Sequence, residues 1–231
     1  MGENVYLSGK YAEKNATYHV EDSDWKAQHI LRMIRNHQLP VRSVCEVGCG
    51  AGEILRQLYL SMPDEVVFTG YEISPQAFAL CRNKEQERLR FFCDDFLSRD
   101  TPRFDLLLCI DVFEHVEDYM GFLRALKQKA AYKLFHIPLD ISVQDILRKK
   151  PVSKRDRVGH LHYFMKETAL LTLKDTGYDI IDWFYTAGSL DLARSVRQKL
   201  MALPRKMFFT HIHQDLAVRI LGGYSLLVLT T

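Results

Sequence analysis

Val44-Cys45-Glu46-Val47-Gly48-Cys49-Gly50-Ala51-Gly52-Glu53-Ile54-Leu55 reads as an apolar strand, a turn with three glycines, and the start of an apolar-periodic helix. Only glycine tolerates the backbone angles and close ligand approach that such a turn needs, and the helix behind it offers unpaired N–H groups. A nucleotide-like ligand fits there. Taken alone, the turn also suits a tight strand-to-helix junction, so its surroundings must decide.

Working outward, apolar runs at 43–47, 66–71, 89–93, 105–110 and 132–137 read as buried strands, and helical patterns at 52–61, 75–87 and 118–129 lie between them. Such a succession closes most readily into a parallel sheet with helices on both faces. Ahead of it, Ser23-Asp24 caps a helix with Trp25, Ile30, Met33 and Ile34 at helical spacing up to Pro40. Behind it come a helix at 166–175, a strand at 178–185 and a strand at 224–230, the last two placed to pair antiparallel at one sheet edge. Two insertions interrupt the pattern: a basic one at 141–157 with Arg148, Lys149, Lys150, Lys154, Arg155 and Arg157, and an apolar one at 187–221 with helical patterns at 190–200 and 208–221 separated by Pro204. The basic segment follows the fifth strand and so faces the ligand crevice. It is read either as a solvated loop or as a contact for an anionic substrate.

Acids recur at the strand ends. Glu46 lies on the first strand, Glu72 ends the second, Asp95 with Asp94 follows the third, and Asp111-Val112-Phe113-Glu114-His115-Val116 follows the fourth. Glu72 stands where a carboxylate accepts hydrogen bonds from both hydroxyls of a ribose.

Over most of its length, and at four successive motifs, the chain resembles the class I S-adenosylmethionine-dependent methyltransferases, most closely the branch containing the quinone-biosynthesis methyltransferases. The run from Glu46 to Gly52 matches their glycine motif E/D-x-G-x-G-x-G, with Glu46 in the acidic place. The resemblance implies a Rossmann-like, doubly wound α/β fold: a mostly parallel seven-stranded sheet with an antiparallel C-terminal edge pair and helical insertions. It implies S-adenosyl-L-methionine as cofactor, with Gly48, Cys49, Gly50 and Gly52 against its methionine part and Glu46 near its amino end. Glu72, followed by Ile73, then takes the ribose; Asp94 and Asp95 lie near the adenine amine with Phe96 beside the ring; and Asp111, Val112 and His115 line the sulfonium. A nicotinamide-dependent dehydrogenase would need glycine at position 53, where this chain has Glu53. An acid at that helix entrance suits a cofactor without a pyrophosphate.

Methyl transfer from a sulfonium is an in-line displacement, and orientation alone supplies effective molarities of roughly 10⁵ to 10⁸ M. An oxygen or nitrogen acceptor that loses a proton needs a base, for which the catalytic candidates are His115, His136 and His162, each balanced against a role as pocket wall or structural histidine. His162 lies in 159–164, a stretch resembling one that approaches the acceptor pocket in related enzymes. His160 and His162 resemble a metal pair, but no acid stands near them in sequence and Cys45 and Cys49 lack a second pair, so no metal site is assigned. The opening segment carries Tyr6, Tyr11, Tyr18, His19 and Trp25, which form either a lid over the crevice or packing for the first helix.

The 231 residues fit one domain: an aromatic and helical cap (1–40), a cofactor-binding half (41–137) and an acceptor-side half (138–231). With 31 basic against 29 acidic side chains, no general attraction to nucleic acid is expected, and the acceptor is read as a small molecule, anionic or apolar. No apolar run approaches the roughly 20 residues of a membrane span, and the opening Met1-Gly2-Glu3-Asn4-Val5-Tyr6 has acid where a secretion signal wants base, so a cytoplasmic location is expected. The five cysteines, an odd set in apolar surroundings, read as reduced thiols. Two other classes share these features: a catalytically silent cofactor-binding regulatory module, and a protein or RNA methyltransferase acting through a local basic patch.

Overall fold

Seven strands form the frame: β1 (Ser43–Val47), β2 (Val67–Glu72), β3 (Leu89–Cys93), β4 (Phe104–Ile110), β5 (Ala130–Leu139), β6 (Ile180–Thr186) and β7 (Tyr224–Thr230). In the computed structural model, which describes residues 9–18, 20–192, 196–211 and 213–231, they lie in the order β3-β2-β1-β4-β5-β7-β6. The first five are parallel, and β7 runs antiparallel between β5 and β6, leaving β6 alone on the edge. The strand order reverses between β1 and β4, so a crevice is expected above the carboxyl ends of those two strands.

Alternation along the strands sorts the core into two layers. Val44, Leu106, Leu108, Leu134 and Leu227 face one side, which α2 (Ser23–Asn36), α3 (Glu53–Ser61) and Cys81 of α4 (Pro75–Arg82) cover. Cys45, Leu107, Cys109, Phe135, Leu226 and Val228 face the other, covered by α5 (Tyr119–Leu126), α8 (Lys166–Asp175) and α11 (Gln214–Leu221). Over the carboxyl ends lie α1 (Lys10–Lys14), α6 (Val143–Leu147) and α7 (Lys150–Val158); α9 (Gly188–Asp191) and α10 (Val196–His211) complete the late insertion.

Three expected boundaries move. The helix expected at 75–87 stops at Arg82, because Gln86 and Leu89 bond each other in a tight return to the sheet. The basic segment is no loop but two short helices, α6 and α7. Pro204 does not separate two helices: α10 runs through it, and the break falls after His211, where His213 accepts from the Leu216 N–H to cap α11. Pro204 and Leu200 are both exposed, so the hydrogen bond that proline removes is lost on a solvent-facing stretch of the helix. Among the described residues no helix is long and apolar enough to cross a membrane.

Candidate functional site

Gly48, Gly50 and Gly52 have φ of +69°, +56° and +72°, the left-handed region that costs other residues about 1 to 2 kcal/mol each. Space adds a second constraint at two of them. A Cβ on Gly48 would stand 2.8 Å from Val112, and one on Gly52 2.6 Å from the Phe91 ring and 2.7 Å from Cys81. Gly50 meets only Tyr18, at 3.9 Å, so its backbone faces the crevice. The Gly48 and Cys49 N–H groups both donate to the Tyr71 carbonyl, at 2.8 and 3.1 Å, while the Cys49 side chain is buried beneath the turn.

Glu72 ties this turn to the next helix. Its carboxylate accepts from the Gly50 N–H and the Ser74 N–H, both at 2.8 Å. Burial pushes its carboxyl above the usual range despite these bonds. Ile73 beside it is 38% exposed on the rim.

Glu46 is 1% exposed, and its Oε2 has no hydrogen-bond partner among the described residues. Burial drives its carboxyl well above the usual range, and Lys26 only partly opposes this. A buried acid oxygen left unpaired costs on the order of 1 to 3 kcal/mol, so it calls for a donor from outside the chain. An ammonium group next to the glycine turn meets that need. Together with the open face at Gly50, this fits the amino acid end of S-adenosylmethionine.

Asp111 closes the rim after β4, and its backbone is also left-handed, at φ +54°. One carboxylate oxygen lies 2.6 Å from His136 Nδ1 and the other 2.8 Å from Lys26 Nζ. His136 is 4% exposed and its Nε2 lies 2.8 Å from Thr186 Oγ1, so both ring nitrogens are engaged. Burial opposes ionisation of Asp111, but His136 and Lys26 outweigh it and hold the carboxyl well below its usual range. Burial likewise opposes the charge on Lys26, and Asp111 and Asp22 outweigh it, raising the ammonium pKa. Lys26 was not among the sequence candidates, yet a signal existed: it shares the helical face of Ile30 and Met33, where a lysine must find a buried partner.

At the third strand end, Asp94 pairs with Arg99 and Asp95 caps the following turn through the Leu97 N–H at 3.0 Å. Phe96 turns into the core. It is 1% exposed, with Tyr71 and Phe104 rings 5.0 and 6.3 Å away, so its face is already covered by protein.

The opening segment and the basic segment meet over this rim. The Tyr18 hydroxyl lies 3.0 Å from Ser74 Oγ, Lys14 donates to the Asp156 carbonyl at 2.7 Å, and Asn15 donates to the Arg157 carbonyl at 3.1 Å. Trp25 donates to Asp191 at 3.2 Å, joining α2 to the late insertion. Tyr11 packs 5.3 Å from Tyr18; Tyr6 and His19 lie outside the described residues. Two lysines of the basic segment are spent internally, Lys150 on Asp145 at 2.6 Å and Lys154 on Asp140.

The histidines of 159–164 do not act as a pair. His162 lies 2.9 Å from the Val116 carbonyl and 4.3 Å from the Tyr119 ring. His160 points elsewhere, with Nδ1 2.5 Å from Asp140 and its ring edge-on to His115 at 4.8 Å. His115 Nδ1 lies 3.2 Å from the Gly159 carbonyl. Burial, reinforced by His160, lowers the His115 pKa to about 4.

A profile described as "Methyltransferase domain" matches residues 19–182. A ubiquinone biosynthesis O-methyltransferase of Coxiella burnetii (strain Dugway 5J108-111) is 27% identical over 104 residues, which cover 40% of this chain and 43% of that relative, less than half its length. Among solved structures, the N-methyltransferase NodS of Bradyrhizobium japonicum WM9, in complex with S-adenosyl-l-homocysteine, superposes with a TM-score of 0.61 at 16% identity, covering 99% of this chain and 98% of that one. The magnesium protoporphyrin IX methyltransferase of Synechocystis PCC 6803, with bound SAH, has a TM-score of 0.59 at 17% identity, covering 90% and 82%. At such identities the two structures establish a shared fold.

Proposed function

This chain belongs to the methyltransferase domain family, and from that premise we propose that it transfers the methyl group of S-adenosylmethionine to an oxygen or nitrogen of a small-molecule acceptor. The observation that carries the reading is the buried, unpartnered Glu46 oxygen beside the left-handed glycine turn. Glu46 takes the amino end of the cofactor, and the glycine backbone lies against its methionine part. Glu72, already fixed by Gly50 and Ser74, offers its remaining lone pairs to the ribose hydroxyls. Asp94 and Asp95 face the adenine amine, with exposed Ile73 rather than core-bound Phe96 as the apolar contact for the ring. Asp111 and Val112 line the sulfonium.

The bound cofactor supplies an electrophilic methyl, and the chain's task is to orient and enclose the two reactants. We read the opening segment, held to the α7 backbone by Lys14 and Asn15 and to Ser74 by Tyr18, as the roof that excludes water, a reading those contacts support. His136 holds Asp111 in place, since both its nitrogens are occupied. His115, with its pKa near 4, is too weak a base at neutral pH to carry an acceptor proton, and His162 is bound to a backbone carbonyl; we read both as positioning residues. The name of the Coxiella relative supports an oxygen acceptor, and that of NodS supports nitrogen.

The decisive experiment incubates cell extract with the protein and isotopically labelled methyl donor, then identifies the labelled product. A labelled small molecule is expected. Donor binding with no product across extracts would point instead to a silent regulatory module, and absence of donor binding would overturn the whole reading.

A further inference from the structure

Beside the crevice, outside the proposed cofactor contacts of Glu46, Glu72 and Asp111, lies a second cluster. Glu114 follows Asp111 by three residues and is 0% exposed, and neither carboxylate oxygen has a hydrogen-bond partner among the described residues. One ligand atom from each of Glu114, His115 and His160 lies within 4.8 Å of the other two. His115 Nε2 stands 3.9 Å from Glu114 Oε1.

The surroundings orient both imidazoles. Nδ1 of His160 meets the Asp140 carboxylate at 2.5 Å, and Nδ1 of His115 meets the Gly159 carbonyl at 3.2 Å. A carboxylate or carbonyl that accepts from one ring nitrogen fixes the ring and aims the other nitrogen, the usual arrangement around a histidine that binds metal. The backbone holds the pieces together, because the Leu161 and His162 N–H groups donate to the Glu114 carbonyl at 2.8 and 3.0 Å. Asp140 is in turn paired with Lys154, so it supports His160 without competing for a cation.

We propose that Glu114, His115 and His160 form a binding site for a divalent transition-metal ion such as zinc, manganese or iron(II). Two imidazoles and one carboxylate are the donor set those ions take, and three protein ligands leave coordination positions open. Ligands bound at roughly 2.1 Å to a common ion sit about 3 to 3.5 Å apart, so the present spacing needs only a small side-chain contraction. The expectation of no metal rested on the lack of an acid near His160 in sequence; the acid that matters arrives from the end of β4.

The test titrates chelator-treated protein with cobalt(II), without donor or acceptor, and follows visible absorption and calorimetry, with zinc as competitor. One saturable, zinc-displaceable equivalent per chain is expected, with affinity lowered at least 10-fold in Glu114→Gln and His160→Ala. Asp140→Asn, which leaves all three ligands in place, is expected to lose about 10- to 100-fold. Acetohydroxamate, a small oxygen chelator, is expected to shift the cobalt bands by entering the open positions. Absence of stoichiometric binding to the wild-type chain, or equal affinity in all three variants, overturns the site; unshifted bands overturn its open coordination. Binding of S-adenosylhomocysteine to the same chelated protein is measured separately, so failure of the metal site and failure of the cofactor assignment are distinguishable.

Discussion

The glycine turn and the Glu114 cluster occupy one rim of one sheet, yet they are assembled in opposite ways. The turn is a continuous run from Glu46 to Gly52, closed by distant side chains at two points, Glu72 accepting from the Gly50 N–H and Lys84 donating to the Ala51 carbonyl. The cluster brings His160 and Asp140 across from separate elements to a pair of residues after β4. In the turn, backbone shape is the limiting requirement, and glycine announces it. In the cluster, the limiting requirement is partners for buried charge, and no local pattern announces those.

The largest effect should separate two glycines within the turn. Gly52→Ala adds a Cβ against Phe91 and Cys81 at positive φ, and is expected to cost about 3 kcal/mol or more in urea unfolding. Gly50→Ala meets only an ordinary contact with Tyr18 and should cost only about 1 kcal/mol while weakening donor binding. Equal losses would break the division between a packing glycine and a ligand-facing one.

Next is the half-buried pair between the two regions. Lys26→Met leaves Asp111 with His136 alone, and because solvent still reaches the carboxylate it is expected to destabilise the fold by about 2 kcal/mol. Thermal unfolding that hardly moves would mean the pair is solvated. Glu72→Ala should weaken S-adenosylhomocysteine binding by about 1 to 3 kcal/mol in calorimetry, through loss of a charge-assisted acceptor and loosening of Gly50. Unchanged affinity would remove Glu72 from the ribose.

The smallest effect lies at the opposite end of the sheet, as a control. Asp105 accepts from the Arg42 and Ser43 N–H groups at 2.8 and 2.9 Å. Burial opposes its ionisation, but those bonds and the Ser43 hydroxyl together outweigh it and lower its pKa. The folded value is below the unfolded one, so its stabilisation is complete above the ordinary carboxylate range and is lost as pH falls through the lowered value. Asp105→Asn should flatten that acid limb of the stability profile and leave donor binding untouched. A change in donor affinity would show that the two ends of the sheet are coupled.

Much of this was legible because the signals are local. Strand alternation, the positions of Gly48, Gly50 and Gly52, and the acids at strand ends all follow from rules spanning a few residues, and the seven strands formed where the apolar runs stood. Other residues were misjudged when a local rule met a tertiary constraint. Pro204 reads as a helix break, but an exposed helix face tolerates it. The resemblance sets Phe96 beside adenine, and in the fold Tyr71 and Phe104 pack around its ring.

The amino-acid sequence by itself determined the doubly wound sheet and the glycine turn, because periodicity and backbone freedom are properties of neighbouring residues. Only the tertiary structure decided which charges meet: Lys26 with Asp111, His160 with Asp140 and His115, and Glu46 and Glu114 with an oxygen or two lacking a hydrogen bond among the described residues. The reason is physical. A charged group removed from water is stabilised by whatever lies within a few ångströms of it, and chain order does not specify that distance.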